Sequence, residues 1–409
     1  MRRPGALLRF AVACVALAGE VGLARVAPAA EAPGRVETLP AQPGLHWVWV
    51  SDVLLRRAAL VDADTGRFLG MLPGGVGIIA PLRSLDAREI YQAETYYARG
   101  TRGARTDLVS ITDARTLQPE GEVLIPPKRS EHTSWVAGSA LSDDGRFVAV
   151  FNLNPATSLS IVDVAQRRFV GEIETPGCSL VYPAGPRRFF SLCADGSALV
   201  IALDENGNVL SKTHTARWFD PQADPVTEKA VRRGNQWLFV SFEGVVHPVD
   251  VSGATLAFGD PWPLLSDADR KDSWRTGGMQ PFALQAATGR LYALMHQGGP
   301  DTHKAPGTAV FVYDVDKRER VQRFPLRNTL ASFALEQLKM PPGGVVDWLL
   351  QHLLPAHGAE RIAVTQDDAP VLLAATAFPA TLAVYDARSG SYLRDIREVG
   401  VALNYVAAP

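Results

Sequence analysis

Cysteine is scarce in this sequence, with three residues among 409. No C-x-x-C pair occurs and no histidine sits close by in sequence to complete a zinc set, which removes the usual basis for a structural metal site. Charge of one sign is also missing: 41 Lys and Arg stand against 43 Asp and Glu, a net −2. A nucleic-acid binder draws its affinity from surplus Lys and Arg facing phosphates, so that class is excluded. Long helices are disfavoured, because 35 Gly and 29 Pro interrupt the chain at short intervals. Catalytic signatures are absent as well: no G-x-S-x-G elbow, no H-E-x-x-H, no P-loop and no C-x-x-C-H for haem. Residues 75–80 (GVGIIA) fit G-x-G-x-x-A, but Pro81 follows at once and no helix can start there, so they read as a turn between strands. What is present, 47% hydrophobic and 21% charged residues, suits an ordinary folded soluble protein rich in β structure.

The apolar run FAVACVALAG over residues 10–19 is too short to span a membrane. With Arg2, Arg3 and Arg9 at the start and Ala27-Pro28-Ala29 after it, residues 1–29 read as a secretory signal peptide. Residues 30–44 are then an N-terminal extension and 45–409 the folded domain. Four Arg and one Glu leave with the signal, taking the net charge to −5. The expected compartment is a bacterial periplasm. Cys14 goes with the leader, and under oxidising conditions Cys178 and Cys193 are expected to form a disulfide. The segment between them (SLVYPAGPRRFFSL) reads strand, Pro/Gly turn, strand, so the bridge staples a hairpin or neighbouring strands.

One pattern recurs seven times: alternating apolar residues, an Asp, a polar turn, then a second apolar run. The copies centre on Asp62, Asp113, Asp163, Asp204, Asp250, Asp314 and Asp386, spaced 51, 50, 41, 46, 64 and 72 residues apart. Period-two alternation on both sides of a turn is the mark of a β-hairpin. Asp suits the turn because its carboxylate accepts bonds from N–H groups just ahead. Two visible strands per 40–50 residues leave room for two more, which is one propeller blade. The expected fold is all-β, a seven-bladed β-propeller of four-stranded antiparallel blades, with a β-sandwich or a two-domain β protein as the alternative. Residues 401–407 (VALNYVA) are placed to pair with 46–50 (HWVWV) and close the ring. Residues 345–354 (VVDWLLQHLL) carry apolar side chains at 345, 346, 349, 350, 353 and 354, a stripe that predicts a short helical insertion. It either covers the propeller's own surface or docks to a partner.

Two loops gather candidate binding residues. In 94–107 (ETYYARGTRGARTD), Arg99, Arg102 and Arg105 recur every third residue with glycines between. They either fasten neighbouring carboxylates and carbonyls in bidentate fashion or face a protein partner. His296 and His303 sit close together in MHQGGPDTHKAPGT, a Gly/Pro-rich loop. They either organise the loop by hydrogen bonding or ligate a metal whose third partner is not identifiable.

The 94–107 stretch and the Cys178…Cys193 segment with its PAGPRRFF turn resemble the heavy chain of methylamine and aromatic amine dehydrogenases. So do DPWPLLSDADRKDSWRTGGMQP (260–281) and LYALMHQGGPDTHKAPGTAVFVYD (291–314), and the likeness covers about residues 45–330 plus the last hairpin. The resemblance implies a periplasmic seven-bladed propeller in a heterotetramer of two heavy and two light chains. It implies no catalytic group, cofactor or metal in this chain. The small, disulfide-rich light chain would carry tryptophan tryptophylquinone, oxidise a primary amine to aldehyde and ammonia, and pass electrons to a blue-copper protein. Cys178 and Cys193 match the family's heavy-chain disulfide. Arg99, Arg102, Arg105, Trp274, Arg275, Gln280, His296 and His303, all in matching motifs, become candidates for the light-chain interface or substrate channel. Two departures stand out. The segment 50–60 (VSDVLLRRAAL) is shorter than the family's channel-narrowing loop and lacks its aromatic residue, implying a wider entrance or a different amine. The 345–354 insertion is outside the family pattern. The alternative function is an exported propeller that serves as a binding platform without a light chain or redox role.

Overall fold

The computed structural model describes residues 38–131 and 136–408. The stretch expected to be a signal peptide (1–29) and most of the expected N-terminal extension (30–44) lie outside these residues. Thirty strands assemble into seven antiparallel sheets in chain order around a ring. Blade 2, for example, runs Leu82–Arg83, Glu89–Tyr97, Arg105–Asp113 and Pro119–Ile125 from the inner strand outward. A single blade cannot bury both its faces, and the apolar clusters accordingly lie between blades. Tyr91, Val109 and Ile111 of blade 2 pack on Val148, Val150 and Val162 of blade 3. Val48, Val50 and Ala59 of blade 1 pack on Leu373, Ala375 and Val384 of blade 7. Each fully buried Val or Leu contributes about 1.5–3 kcal/mol.

The seven Asp residues occupy one structural position, the end of the third strand where the chain turns into the outer strand. Each uses its carboxylate on N–H groups just ahead: Asp113 on Arg115 and Thr116, Asp204 on Asn206 and Asn208, Asp386 on Arg388 and Ser389. Asp62, Asp163, Asp250 and Asp314 do the same. Six blades also carry a bulge beside this turn, such as the one at Ile161/Val162 in blade 3, which adds local twist to the outer strand.

Blade 1 is built from both ends of the described chain. Trp47–Asp52, Arg57–Asp62 and Phe68–Pro73 form its outer strands, and Leu403–Ala407 pairs antiparallel with Trp47–Asp52 as the inner one. His46 clasps the closure, with Nδ1 2.8 Å from Asp64 in blade 1 and Nε2 3.3 Å from Asp367 in blade 7. In blade 4, Cys178 and Cys193 are directly opposed on the first two strands and joined by a disulfide.

Among the described residues three α-helices interrupt the strands: α1 (Asp267–Lys271), α2 (Thr329–Gln337) and α3 (Gly344–Leu353). The last two form a hairpin between blades 6 and 7. Helix α3 occupies the predicted insertion, while α2 was not foreseen. Its orientation also departs from the apolar stripe. Asp347 points inward, accepting from Arg327 Nη2 at 2.7 Å, the Gly343 N–H at 2.6 Å and Gln351 at 3.2 Å. That buried ion pair fixes the helix's rotation, so Val345, Trp348 and Leu353 are 74, 59 and 76% exposed. Covering the propeller is therefore not what this apolar face does.

Candidate functional site

A four-stranded meander sorts its connections onto two faces. The Asp turns share one, here the turn face. Second-to-third-strand turns and blade-to-blade connections share the other, the loop face. Every candidate residue lies on or beside the loop face, and so does the disulfide.

The three arginines divide. Arg105 is drawn into a buried network, gripping Asp107 through Nε (2.9 Å) and Nη2 (2.8 Å) and reaching Glu131 at 3.0 Å. Asp107 also accepts from the Arg129 N–H at 2.8 Å. The Arg129 guanidinium is itself buried and donates to the Val76 and Ile78 carbonyls and to Thr95, and burial lowers its pKa. Arg105 thus fastens the connection between blades 2 and 3. Arg99 and Arg102 flank a tight turn, closed by an Arg99 N–H bond to the Arg102 carbonyl at 2.9 Å, and both are exposed. Next to them, Arg56 of blade 1 donates to the Gly100 carbonyl at 3.3 Å. Arg56 ends a four-residue turn, in the segment expected to be shortened, that exposes Val53, Leu54 and Leu55 and is held by Asp52, which accepts from the N–H groups of Leu54 and Leu55.

The W-R-x-G-G motif explains itself in blade 6. Here the inner strand breaks into Trp274–Thr276 and Phe282–Gln285, both pairing with Arg290–Gln297. In the gap, the N–H of Gly278 meets the His303 carbonyl, and those of Met279 and Gln280 meet the Glu360 carbonyl from blade 7's connector. Gly278 has φ +117°, and a Cβ there would stand 2.6 Å from the Glu360 carbonyl oxygen, so only glycine fits. Gln280 turns toward the axis: its Nε2 donates to Val406 at 2.7 Å and Ile362 at 3.2 Å, tying the inner strands of blades 6, 7 and 1. Trp274 is buried between blades 5 and 6 with the Arg323 guanidinium 4.2 Å from its ring. Arg275 faces Glu243 of blade 5 at 3.5 Å.

The two histidines do not belong to a group of three metal-ligating side chains among the described residues. His296 Nε2 lies 2.8 Å from Thr302 Oγ1, and burial, aided by Arg275, lowers its pKa. His303 stacks on Phe242 at 4.2 Å; its pKa falls through burial and through Lys229 and Lys304. Among the described residues, one grouping could share a metal, Cys178, Cys193 and His214, and both sulfurs are spent in the disulfide.

The inner strands surround an axial cavity of about 390 Å³. Gln280, Met279 and Tyr405 line it with Glu228 and Lys229, which sequence reasoning missed. Lys229 donates to the Gly278 carbonyl at 3.1 Å, and burial lowers its pKa. Nothing in the linear pattern marked this pair, which stands just ahead of inner strand Val231–Arg233 and reaches the cavity only through the fold.

A family model described as methylamine dehydrogenase heavy chain matches residues 50–346. The chain belongs to that family. It is 27% identical to the methylamine dehydrogenase heavy chain of Methylophilus methylotrophus, over 84% of this chain and 77% of that one. To the heavy chain of Paracoccus versutus it is 27% identical, over 88% and 78%. Among solved structures, a functionally unknown protein from Desulfotomaculum acetoxidans superposes with TM-score 0.56 at 11% identity, covering 89% of this chain and 99% of that one, a likeness of fold alone. No helix among the described residues is long and apolar enough to cross a membrane.

Proposed function

We propose that this chain is the non-catalytic heavy subunit of a periplasmic quinoprotein amine dehydrogenase. The observation that carries the reading is the family match over residues 50–346. It gains support from the gathering of the candidate residues on one face. In this reading two copies of the chain hold two disulfide-rich light chains. In this reading the cofactor, crosslinked from two indoles, belongs to the light chain rather than to this one. There tryptophan tryptophylquinone would supply the two-electron oxidation by which a primary amine and water give aldehyde, ammonia and two protons, and a blue-copper protein would collect the electrons. This chain's own residues bind and orient. Exposed Arg99 and Arg102, with Val53, Leu54 and Leu55 beside them, meet the light chain; Gln280, Lys229 and Glu228 set the polarity at the mouth of the axial cavity. Arg105, Trp274 and His296 hold those groups in place from inside the fold.

The test is co-purification with a small exported cysteine-rich chain encoded nearby. The complex should absorb visible light and bleach on addition of methylamine or another primary amine. A colourless, amine-inert complex overturns the reading, as does amine oxidation by the isolated chain.

A further inference from the structure

Lysine is seldom drawn out of water unless a carboxylate comes with it. Lys229 is an exception. It stands just ahead of the inner strand of blade 5 and lines the 390 Å³ axial cavity, whose walls include Leu141, Val181, Pro183 and Phe282. Such a chamber, apolar with few convergent polar groups, has the size and character of a small-molecule site. The lysine ion pairs among the described residues belong to Lys128 and Lys317, not to Lys229. Its Nζ donates instead to the Gly278 carbonyl at 3.1 Å, which fixes its position. Burial lowers its pKa; Glu228 opposes the shift, and Lys304 and Arg361 add to it. The other charged neighbours do not reverse the balance. Glu360 is held by Arg361 at 2.6 Å, and burial with the same two lysines favours the neutral ring of His303. An amine in this setting sheds its proton readily, and with one N–H on Gly278 it keeps a lone pair. Desolvation beside other cations is how a lysine becomes a nucleophile toward carbonyl carbon.

We propose that Lys229 captures aldehydes that enter the axial cavity, forming a reversible Schiff base on its Nζ. The nitrogen lone pair bonds to the carbonyl carbon, the π pair moves to oxygen, and a proton passes from nitrogen to that oxygen. The resulting carbinolamine loses its hydroxyl and the second N–H proton as water, leaving C=N. Amine plus aldehyde gives imine plus water, with no oxidant or reductant. Glu228 lines the same cavity and is the carboxyl that can carry the proton from nitrogen to oxygen. Other ligands fit less well. An ammonium ligand meets the positive charge of Lys304 and Arg361, and an anion gains little from an amine that is losing its own charge. A neutral carbonyl compound with an apolar body suits both the walls and the amine. The site needs no light chain. Only the natural source of the aldehyde rests on the amine dehydrogenase reading, in which aldehyde is the product.

The test incubates the full mature chain, without any light chain, with benzaldehyde and sodium cyanoborohydride, which reduces an imine to a stable secondary amine. Peptide mass mapping then gives the labelling rate of each lysine. At pH 7 Lys229 should react roughly tenfold faster than exposed Lys271 and Lys339, the ratio that one unit of pKa supplies. Its rate should saturate with benzaldehyde concentration, as binding in a cavity requires, while theirs rises linearly. Lys229→Arg should lose the fast reaction and keep the slow ones. Lys304→Gln removes a neighbouring cation, so it should slow labelling of Lys229 at pH 7 and move the pH profile of that reaction upward. Labelling of Lys229 no faster than that of Lys339 overturns the proposal, as does a rate that never saturates. Protection of Lys229 by benzoate with no imine trapped would assign the cavity to anions instead. Because the aldehyde is supplied directly, failure here leaves the amine dehydrogenase reading intact, and a colourless complex leaves this site intact.

Discussion

The two faces of the propeller solve the same problem, reversing a strand, in opposite ways. On the turn face one device is used seven times, an Asp carboxylate capping the N–H groups ahead of it, and each copy is local and replaceable. On the loop face no two connections are alike. A buried ionic network, a disulfide, a glycine-threaded gap and a helical hairpin each occur once. The contrast shows where the chain's individuality lies: repetition builds the ring, and the unrepeated side is free to carry partners. Difference in design should appear as difference in cost when each device is removed.

The largest effect is expected from Asp107→Ala on the loop face. It removes the acceptor of the Arg105 guanidinium and of the Arg129 backbone N–H, and leaves Arg105 with Glu131 as its remaining carboxylate partner. Removing one member of such a buried set costs about 3–5 kcal/mol, measurable by urea denaturation. A loss below about 1 kcal/mol would put this network on the footing of a surface pair and erase the distinction. Next comes the blade 4 staple. With a sequence separation of 15 residues, the Cys178–Cys193 bridge should contribute about 3 kcal/mol, seen as a lowered Tm in the double serine variant and in reductant. Unchanged melting in both would show that the strand pairing alone holds that hairpin.

These two sites also show what a linear sequence reveals. The Asp turns were legible because their chemistry is contained within about five residues and repeats, so count, spacing and ring closure all followed. The disulfide was legible because the thiols were scarce and the intervening segment read as a hairpin. Asp107, Arg129 and Glu131 were not singled out, because they meet only when blade 2 and its connector fold together. Glu228 and Lys229 were invisible for the same reason. Helix α3 was foreseen as an element but not in its orientation. An apolar stripe predicts burial, and here one buried ion pair, Asp347 with Arg327 across 20 residues, outweighed it. The exposed stripe is thus a place where the local rule linking apolar periodicity to burial fails.

A smaller effect is expected on the turn face. Asp386→Ala removes an acceptor for the N–H groups of Arg388 and Ser389 and should cost about 1 kcal/mol by thermal melting. Asp386→Asn should retain most of it, since the amide oxygen still accepts. If Asp386→Ala cost as much as Asp107→Ala, the turns would be keystones rather than interchangeable copies.

The smallest effect separates the faces by sign rather than size. On the turn face, burial opposes charging of His46, but the Asp64 and Asp367 carboxylates prevail and raise its pKa above the ordinary value. Its contribution is fully present below the unfolded value of about 6.5 and is lost as pH rises through the folded pKa. On the loop face, burial lowers the pKa of His296, with Arg275 adding to the effect. That ring stays neutral in the fold while the unfolded chain takes up a proton, so its contribution is lost as pH falls below about 6.5. Unfolding free energies measured from pH 5.5 to 8 should therefore diverge. The advantage of wild type over His46→Gln shrinks with rising pH, by under about 1 kcal/mol for a clasp of this kind. The advantage over His296→Gln grows across the same range. Parallel slopes for the two variants would mean that the ring closure gains nothing from a charged His46, and that apolar packing between blades 1 and 7 holds the ring shut without it.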